Sequence, residues 1–206
     1  MADPGTPKYW AKWIVRRPSL AAVKEALTIP SGQISLEEGR LLGSLTQTLE
    51  PSRPIVEIGT LFGWSTNVMA LAKPAEMELI TVDAYYWNPL GLSKRDHFAI
   101  TSRILEEAIQ KYNVKQVRQD KAEFYRSYSG PEPALIFLDA DHSYEGTRDD
   151  LEWATKYENA IICLHDYRKE WPGVIQAVDE FGGFDRIAGS LCVLRRRQYY
   201  PRSPRC

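Results

Sequence analysis

No stretch of this 206-residue sequence stays apolar for the ~20 residues needed to span a bilayer. The opening MADPGTPKYWAKWIVRRP has charges and prolines where a secretory signal needs an apolar core, so a cytoplasmic protein is expected. Cysteine is scarce. Of three residues, Cys163 and Cys192 fall in strand-like runs and Cys206 is terminal, which excludes a disulfide framework. Neither sign of charge dominates: 26 Lys and Arg stand against 27 Asp and Glu, so no general pull toward nucleic acid or an anionic membrane follows. No internal repeat is found.

A chain of this length builds one domain with a substantial core. Residues 1–34 read as an N-terminal extension, 35–196 as the domain, and 197–206 as a basic tail. Five runs read as buried strands, because each is apolar, rich in β-branched residues and ends abruptly in polar or Gly residues: Ile55–Ile58, Leu79–Val82, Val114–Val117, Ala134–Leu138 and Ala160–Leu164. Helical spacing lies between them, with Phe98, Leu105, Ile109 and Tyr112 on one face and Tyr144, Thr147, Leu151 and Ala154 on another. Strand alternating with helix predicts an α/β fold with a mostly parallel sheet covered on both faces. After a helix ending near Phe181, Phe184–Ile187 and Leu191–Leu194 lie too close together for anything but an antiparallel hairpin. Ser35 to Leu49 predicts a helix capped by Ser35, with Glu37 and Glu38 favouring its dipole. The aromatics Tyr9, Trp10 and Trp13 precede it and are expected either to cover the site or a partner subunit, or to belong to a helix packed on the domain edge. Arg195, Arg196, Arg197, Arg202 and Arg205, unrelieved by any acid, read as a solvated tail.

Ligands of open α/β sheets bind beyond the carboxyl ends of the strands. Each such end carries an ionisable group: Glu57, Asp83, Asp120, Asp139 and the pair His165–Asp166. Crowded carboxylates raise one another's pKa unless something positive lies among them, so a cationic ligand, a metal or both are expected. In "EIGTLFGWST", Gly59 and Gly63 mark a strand-to-helix turn that backbone can bring close to a ligand, with Ser65 or Thr66 as the helix cap. A dinucleotide turn would place a glycine where Glu57 stands, and a carboxylate there opposes a pyrophosphate. Asp83 suits a ribose diol, and Asp120, with Ala122 behind it, suits an adenine amino group. A cationic nucleoside without phosphates meets these conditions, and S-adenosylmethionine is one.

With those residues in view, "VEIGTLFGWST", "ITVDAY" and "QDKAEF" resemble the glycine-rich, ribose-binding and adenine-contacting motifs of class I S-adenosylmethionine-dependent methyltransferases, over roughly residues 35 to 196. "FLDADHSYEGTRDDLEWA" followed by "CLHDYRKEWPGVIQAVDEF" is similar to a small-molecule O-methyltransferase group related to macrocin-type O-methyltransferases and cephalosporin hydroxylase. The resemblance implies a Rossmann-like fold, S-adenosylmethionine held by Glu57, Gly59, Gly63, Ser65, Thr66, Asp83, Asp120, Ala122 and Asp139, and a small-molecule acceptor. It also implies a divalent cation on Asp139, His165 and Asp166. Relatives often carry a carboxylate at the place of His165, and magnesium prefers oxygen, so manganese, zinc or a metal-free base come into play beside magnesium.

Two mechanisms stay open. Either the cation takes the acceptor oxygen, or His165 or His142 removes its proton; Asp139 sits beside the sulfonium in both. Asp141 or Ser143 begins the next helix and Glu145 favours its dipole. Residues 84–97, with Tyr85, Tyr86 and Trp87, are expected either to roof the acceptor or to pack plainly against the neighbouring helix. A hydroxylase-like enzyme on the same fold, a non-catalytic adenosyl-binding domain, and self-association of the chain are left open.

Overall fold

Strands β1 (Ile55–Ile58), β2 (Leu79–Asp83), β3 (Val114–Arg118), β4 (Leu135–Leu138) and β5 (Ile161–Leu164) coincide with the five apolar runs to within a residue at either end. The computed structural model describes residues 34–195. Tyr9, Trp10, Trp13, Cys206 and the tail arginines from Arg196 onward lie outside those residues. Strands β6 (Phe184–Ala188) and β7 (Leu191–Leu194) form the antiparallel hairpin. The sheet order is β3-β2-β1-β4-β5-β7-β6. The first five strands run parallel and β7 runs antiparallel to β5. Chain order therefore reverses between β1 and β4, the place where such sheets open a crevice.

The described helices are α1 (Leu36–Thr46), α2 (Trp64–Ala72), α3 (Lys94–Ile104), α4 (Glu106–Lys111), α5 (Lys121–Ser127), α6 (Tyr144–Ala154) and α7 (Pro172–Glu180). α1 begins as its sequence predicts, with Ser35 and Glu38 bonding each other's backbone N–H groups in a capping box, though it stops at Thr46 rather than Leu49. The single face expected from Phe98 to Tyr112 is a correction: α3 and α4 break at Leu105. Leu105 and Ala108 are buried and Ile109 is exposed. α6 does present Thr147, Leu151 and Ala154 inward. No described helix is long and apolar enough to cross a membrane.

Alternation along each strand divides the core between the two faces of the sheet. Ile55, Leu79, Leu135 and Phe137 pack with Leu42, Leu45, Met69 and Leu105 on one side. Val56, Ile58, Ile136 and Leu138 pack with Leu151, Trp153, Val174 and Val178 on the other. Each fully buried aliphatic or aromatic side chain contributes roughly 1.5–3 kcal/mol. Cys163 and Cys192 are free thiols in this core, and burial pushes Cys192 up to about 12, so both are unreactive as thiolates.

Candidate active site

At the switch point the turn after β1 lies directly on the chain leaving β4. Gly59 has φ 99°, and a Cβ there would sit 2.0 Å from the carbonyl oxygen of Asp139. Only glycine allows that approach. Gly63, at φ 79°, is itself the N-cap of α2, with Leu105 against it. The cap expected at Ser65 or Thr66 is thus corrected. Both residues lie inside the helix, and both hydroxyls donate to Glu57.

Strand parity explains this: Glu57 shares the face of Ile55, toward α2, and so is sealed in the interior rather than set on the rim. Burial pushes its carboxyl up to about 7, with the charge of Asp139 adding to the rise and the hydroxyls of Ser65, Thr66 and Thr81 opposing it. The native state therefore holds a proton that the unfolded chain gives up from its ordinary value of 4.5 upward. Stability is expected to fall as pH rises through that window, by an amount on the order of 3 kcal/mol once above 7. Glu57→Gln removes this dependence, so in urea unfolding its stability relative to wild type improves from pH 5 to pH 8.

Asp83, half-buried, accepts through Oδ2 from the Thr60 and Leu61 N–H groups at 3.0 and 2.9 Å, and through Oδ1 from Tyr85 N–H at 2.6 Å. It holds the glycine turn in shape. The carbonyl of Leu61 in turn accepts from the Thr101 hydroxyl and meets Nε2 of the buried His97. Tyr85 is no roof: it is fully buried, its hydroxyl accepting from Gln116. Tyr86 and Trp87 beside it are exposed. Asp120 is the N-cap of α5 and accepts from Ala122 N–H.

The remaining groups converge beyond β4 and β5. His142 Nε2 lies 3.3 Å from Asp139 Oδ1 and 3.1 Å from Asp166 Oδ2. His165 Nδ1 lies 3.4 Å from Asp139 Oδ1 and 3.6 Å from Asp166 Oδ1. Asp166 adopts a left-handed φ of 61°, a conformation aspartate tolerates better than most residues, at the point where the chain leaves β5. Asp141 accepts from Ser143 N–H, and Ser143 caps α6 with Glu145 in its first turn. Burial acts to raise Asp139, but the positive edges of His165 and His142 outweigh it and leave the carboxyl at about 2. Burial likewise acts to lower His165, and the surrounding carboxylates push it up to about 12 instead. His142 also rises, against its own burial, through Asp139 and Asp166.

Five residues that the sequence did not single out for the site complete it. Arg168 Nη2 stands 2.6 Å from Asp166 Oδ1. Trp171 packs on His142, ring centroids 4.7 Å apart at 31°. Gly173 lets this happen, since a Cβ there would sit 2.5 Å from Tyr144 N and hold α7 off the start of α6. Glu38 and Ser190 reach His165 Nε2 from the other side, at 3.4 and 3.3 Å. The acids expected to await a cationic ligand thus find basic side chains of the chain itself beside them. Sequence offers a signal only for Glu38, as the fourth residue of an S-x-x-E capping box.

Chemically, one ligand atom from each of Asp139, His142 and Asp166 lies within 4.8 Å of the others, a candidate metal triad. His165, expected in that set, has carboxylates against both ring nitrogens.

Residues 56–167 match a family described as methyltransferase domain. No curated protein matches the chain by sequence. Among solved structures, it resembles the O-methyltransferase TomG of Streptomyces achromogenes, a complex with SAM, at TM-score 0.59 and 19% identity over 90% of this chain and 80% of that one. The O-methyltransferase of Bacillus cereus, in complex with SAH, matches at TM-score 0.61 and 19% identity over 95% and 92%. A protein of Corynebacterium glutamicum matches at TM-score 0.65 and 12% identity over 94% and 98%. At such identities the likeness is one of fold.

Proposed function

This chain belongs to the methyltransferase domain family, and on that premise we propose that it moves the methyl group of S-adenosylmethionine to a hydroxyl of a small molecule. The observation that carries the reading is the close approach of Gly59 to Asp139 at the switch point, which sets a glycine turn beside an acid–histidine cluster. TomG and the Bacillus cereus enzyme, which share the fold, hold SAM and SAH respectively, which supports the choice of cofactor. In this reading Asp83 and Asp120 face the ribose and adenine, the Gly59–Gly63 turn and Asp139 face the sulfonium end, and Ser65 and Thr66 serve indirectly by holding Glu57. Most of the rate comes from holding donor and acceptor in line, which is worth roughly 7–11 kcal/mol. Calorimetry with adenosylhomocysteine is expected to give one site per chain; no heat with folded protein overturns the reading.

Two carboxylates and one imidazole fit a borderline divalent ion such as manganese or zinc better than magnesium. Asp139, His142 and Asp166 are the residues that would hold it, and such an ion would lower the pKa of an acceptor hydroxyl. Without an ion, His142 is the group placed to take the acceptor's proton, since its ring is partly accessible while His165 is enclosed. Transfer from labelled S-adenosylmethionine to a panel of catechols, phenols and sugars separates the two. Loss of transfer in chelator and recovery with manganese or zinc favours the ion; full transfer in chelator, lost in His142→Ala, favours the base.

Trp171, a half-exposed ring beside His142, is suited to wall a planar acceptor. Trp171→Ala is expected to raise the acceptor KM by roughly 2–10-fold, the worth of one aromatic contact, with the KM for S-adenosylmethionine unchanged. An effect confined to the cofactor KM would argue against that placement.

A further inference from the structure

Glu38 lies in the first turn of α1, 17 residues before the start of β1, in a part of the chain that the family match does not reach. A capping-box glutamate ordinarily sits in water and reaches one backbone N–H. Glu38 is instead 4% exposed, and both of its oxygens are engaged twice. Oε2 accepts from Ser35 N–H at 2.5 Å and stands 3.4 Å from His165 Nε2. Oε1 accepts from the N–H and the hydroxyl of Ser190 at 2.7 and 2.8 Å. That accounts for the roughly four lone-pair sites of a carboxylate. A helix cap needs only the first of these partners, and an interior carboxylate without the others would carry a large desolvation cost.

The β6–β7 turn is shaped around the same group. Gly189 has φ 57°, and a Cβ on it would stand 2.6 Å from Glu38 Oε1, so a side chain there would push the turn off the carboxylate. The carbonyl of Ser190 then accepts from Tyr167 N–H at 2.9 Å, which ties the turn to the end of β5 just beyond His165 and Asp166. Glu38 thus joins three distant pieces of chain: the start of α1, the hairpin turn and the rim.

We propose that Glu38, backed by Ser190, is a positioning residue of the reaction site: it holds the His165 imidazole with Nε2 toward itself, so that Nδ1 faces Asp139 and Asp166. An imidazole ring left alone has two nearly equivalent flips about χ2, and only a partner on each edge selects one. Held this way, His165 spaces the two rim carboxylates and leaves His142 as the histidine open to ligands. That Glu38 serves methyl transfer rests on the function proposed above; that it orients His165 does not.

The chain has three histidines, His97, His142 and His165, so ring N–H resonances of histidine-labelled protein are readily assigned. In wild-type protein the Nε2–H of His165 is expected as a downfield, slowly exchanging proton. In Glu38→Gln, which keeps shape but loses the charge, that proton is expected to exchange about tenfold faster or vanish, as for other opened hydrogen bonds. The His97 signal and adenosylhomocysteine affinity should stay as in wild type. Methyl transfer is expected to lose about tenfold in kcat, the usual cost of removing an outer partner, with the KM for S-adenosylmethionine unchanged. If Glu38→Gln does not fold, Ser190→Ala carries the same readings with a smaller change. A wild-type His165 without a protected ring proton overturns the proposal, as does a folded variant whose ring signal and kcat match wild type. Loss of the ring signal in a protein that methylates none of the panel upholds the orientation and counts against the proposed function alone.

Discussion

Gly59→Ala is expected to destabilise the protein by about 3 kcal/mol or more and to abolish adenosylhomocysteine binding. The new Cβ would meet the Asp139 carbonyl oxygen at 2.0 Å and its carbon at 2.5 Å. These are backbone atoms of a central strand end, with no flexible tip to move aside. The residue would also be held at φ 99°, where an L side chain is strained. Relief requires β1 and β4 to part at the switch point, which displaces Asp139 itself. For a chain of this size the melting temperature should fall by about 6–12 °C. Gly91→Ala is the control, because Gly91 has φ 63° with nothing within 4 Å of the added carbon. It should carry only the conformational cost, about 1–2 kcal/mol, with binding intact. Equal melting of wild type and Gly59→Ala would mean that the turn does not lie on Asp139.

Asp139→Asn is expected to reduce methyl transfer by about 10²–10⁴-fold, whether the carboxylate holds a metal ion or the proton-accepting histidine. Shape is kept and one charge is lost, so the change isolates electrostatics. The same charge supports the fold. Asp139 sits at about 2 in the native state against an ordinary 3.8. Its contribution is therefore complete above the unfolded value and is lost as pH falls toward 2. At neutral pH it is worth about 2 kcal/mol. Urea unfolding should show a clear deficit for Asp139→Asn at pH 5 that shrinks below about pH 4. A deficit that grows on acidification would show that the histidines do not stabilise the carboxylate. Because the charge of Asp139 also raises Glu57, the variant should lower the pH at which Glu57 takes up its proton.

Sequence and structure agree on the strands and the hairpin because the signals there are local. A buried parallel strand shows as an unbroken apolar run, and a connection of a few residues permits only an antiparallel return. Capping is local too, and Ser35 and Ser143 cap as their positions imply. The first turn of α2 departs from its expected cap because the Glu57 carboxylate, on the preceding strand β1, takes the hydroxyls of Ser65 and Thr66 from the backbone. That carboxylate, Glu57, lies in the interior and not on the rim because its parity along β1 turns it toward α2. The break at Leu105 does not show in the regular pattern; Leu105 packs against Gly63, a contact that periodicity does not reveal.

From the order of residues alone came the α/β class, the strand ends at which acids and histidines stand, and Asp139 as the acid that follows a fully buried strand. Tertiary structure alone decided which charges meet there: His142 rather than His165 stands open beside the acids, while Glu38, Arg168, Trp171 and Ser190 arrive from α1, the loop after β5 and the hairpin turn. The physical reason is that backbone preference and strand parity act over a few neighbouring residues, whereas electrostatic attraction depends on distance through space. Residues 38 and 190 are 152 positions apart and share a hydrogen bond of 2.8 Å.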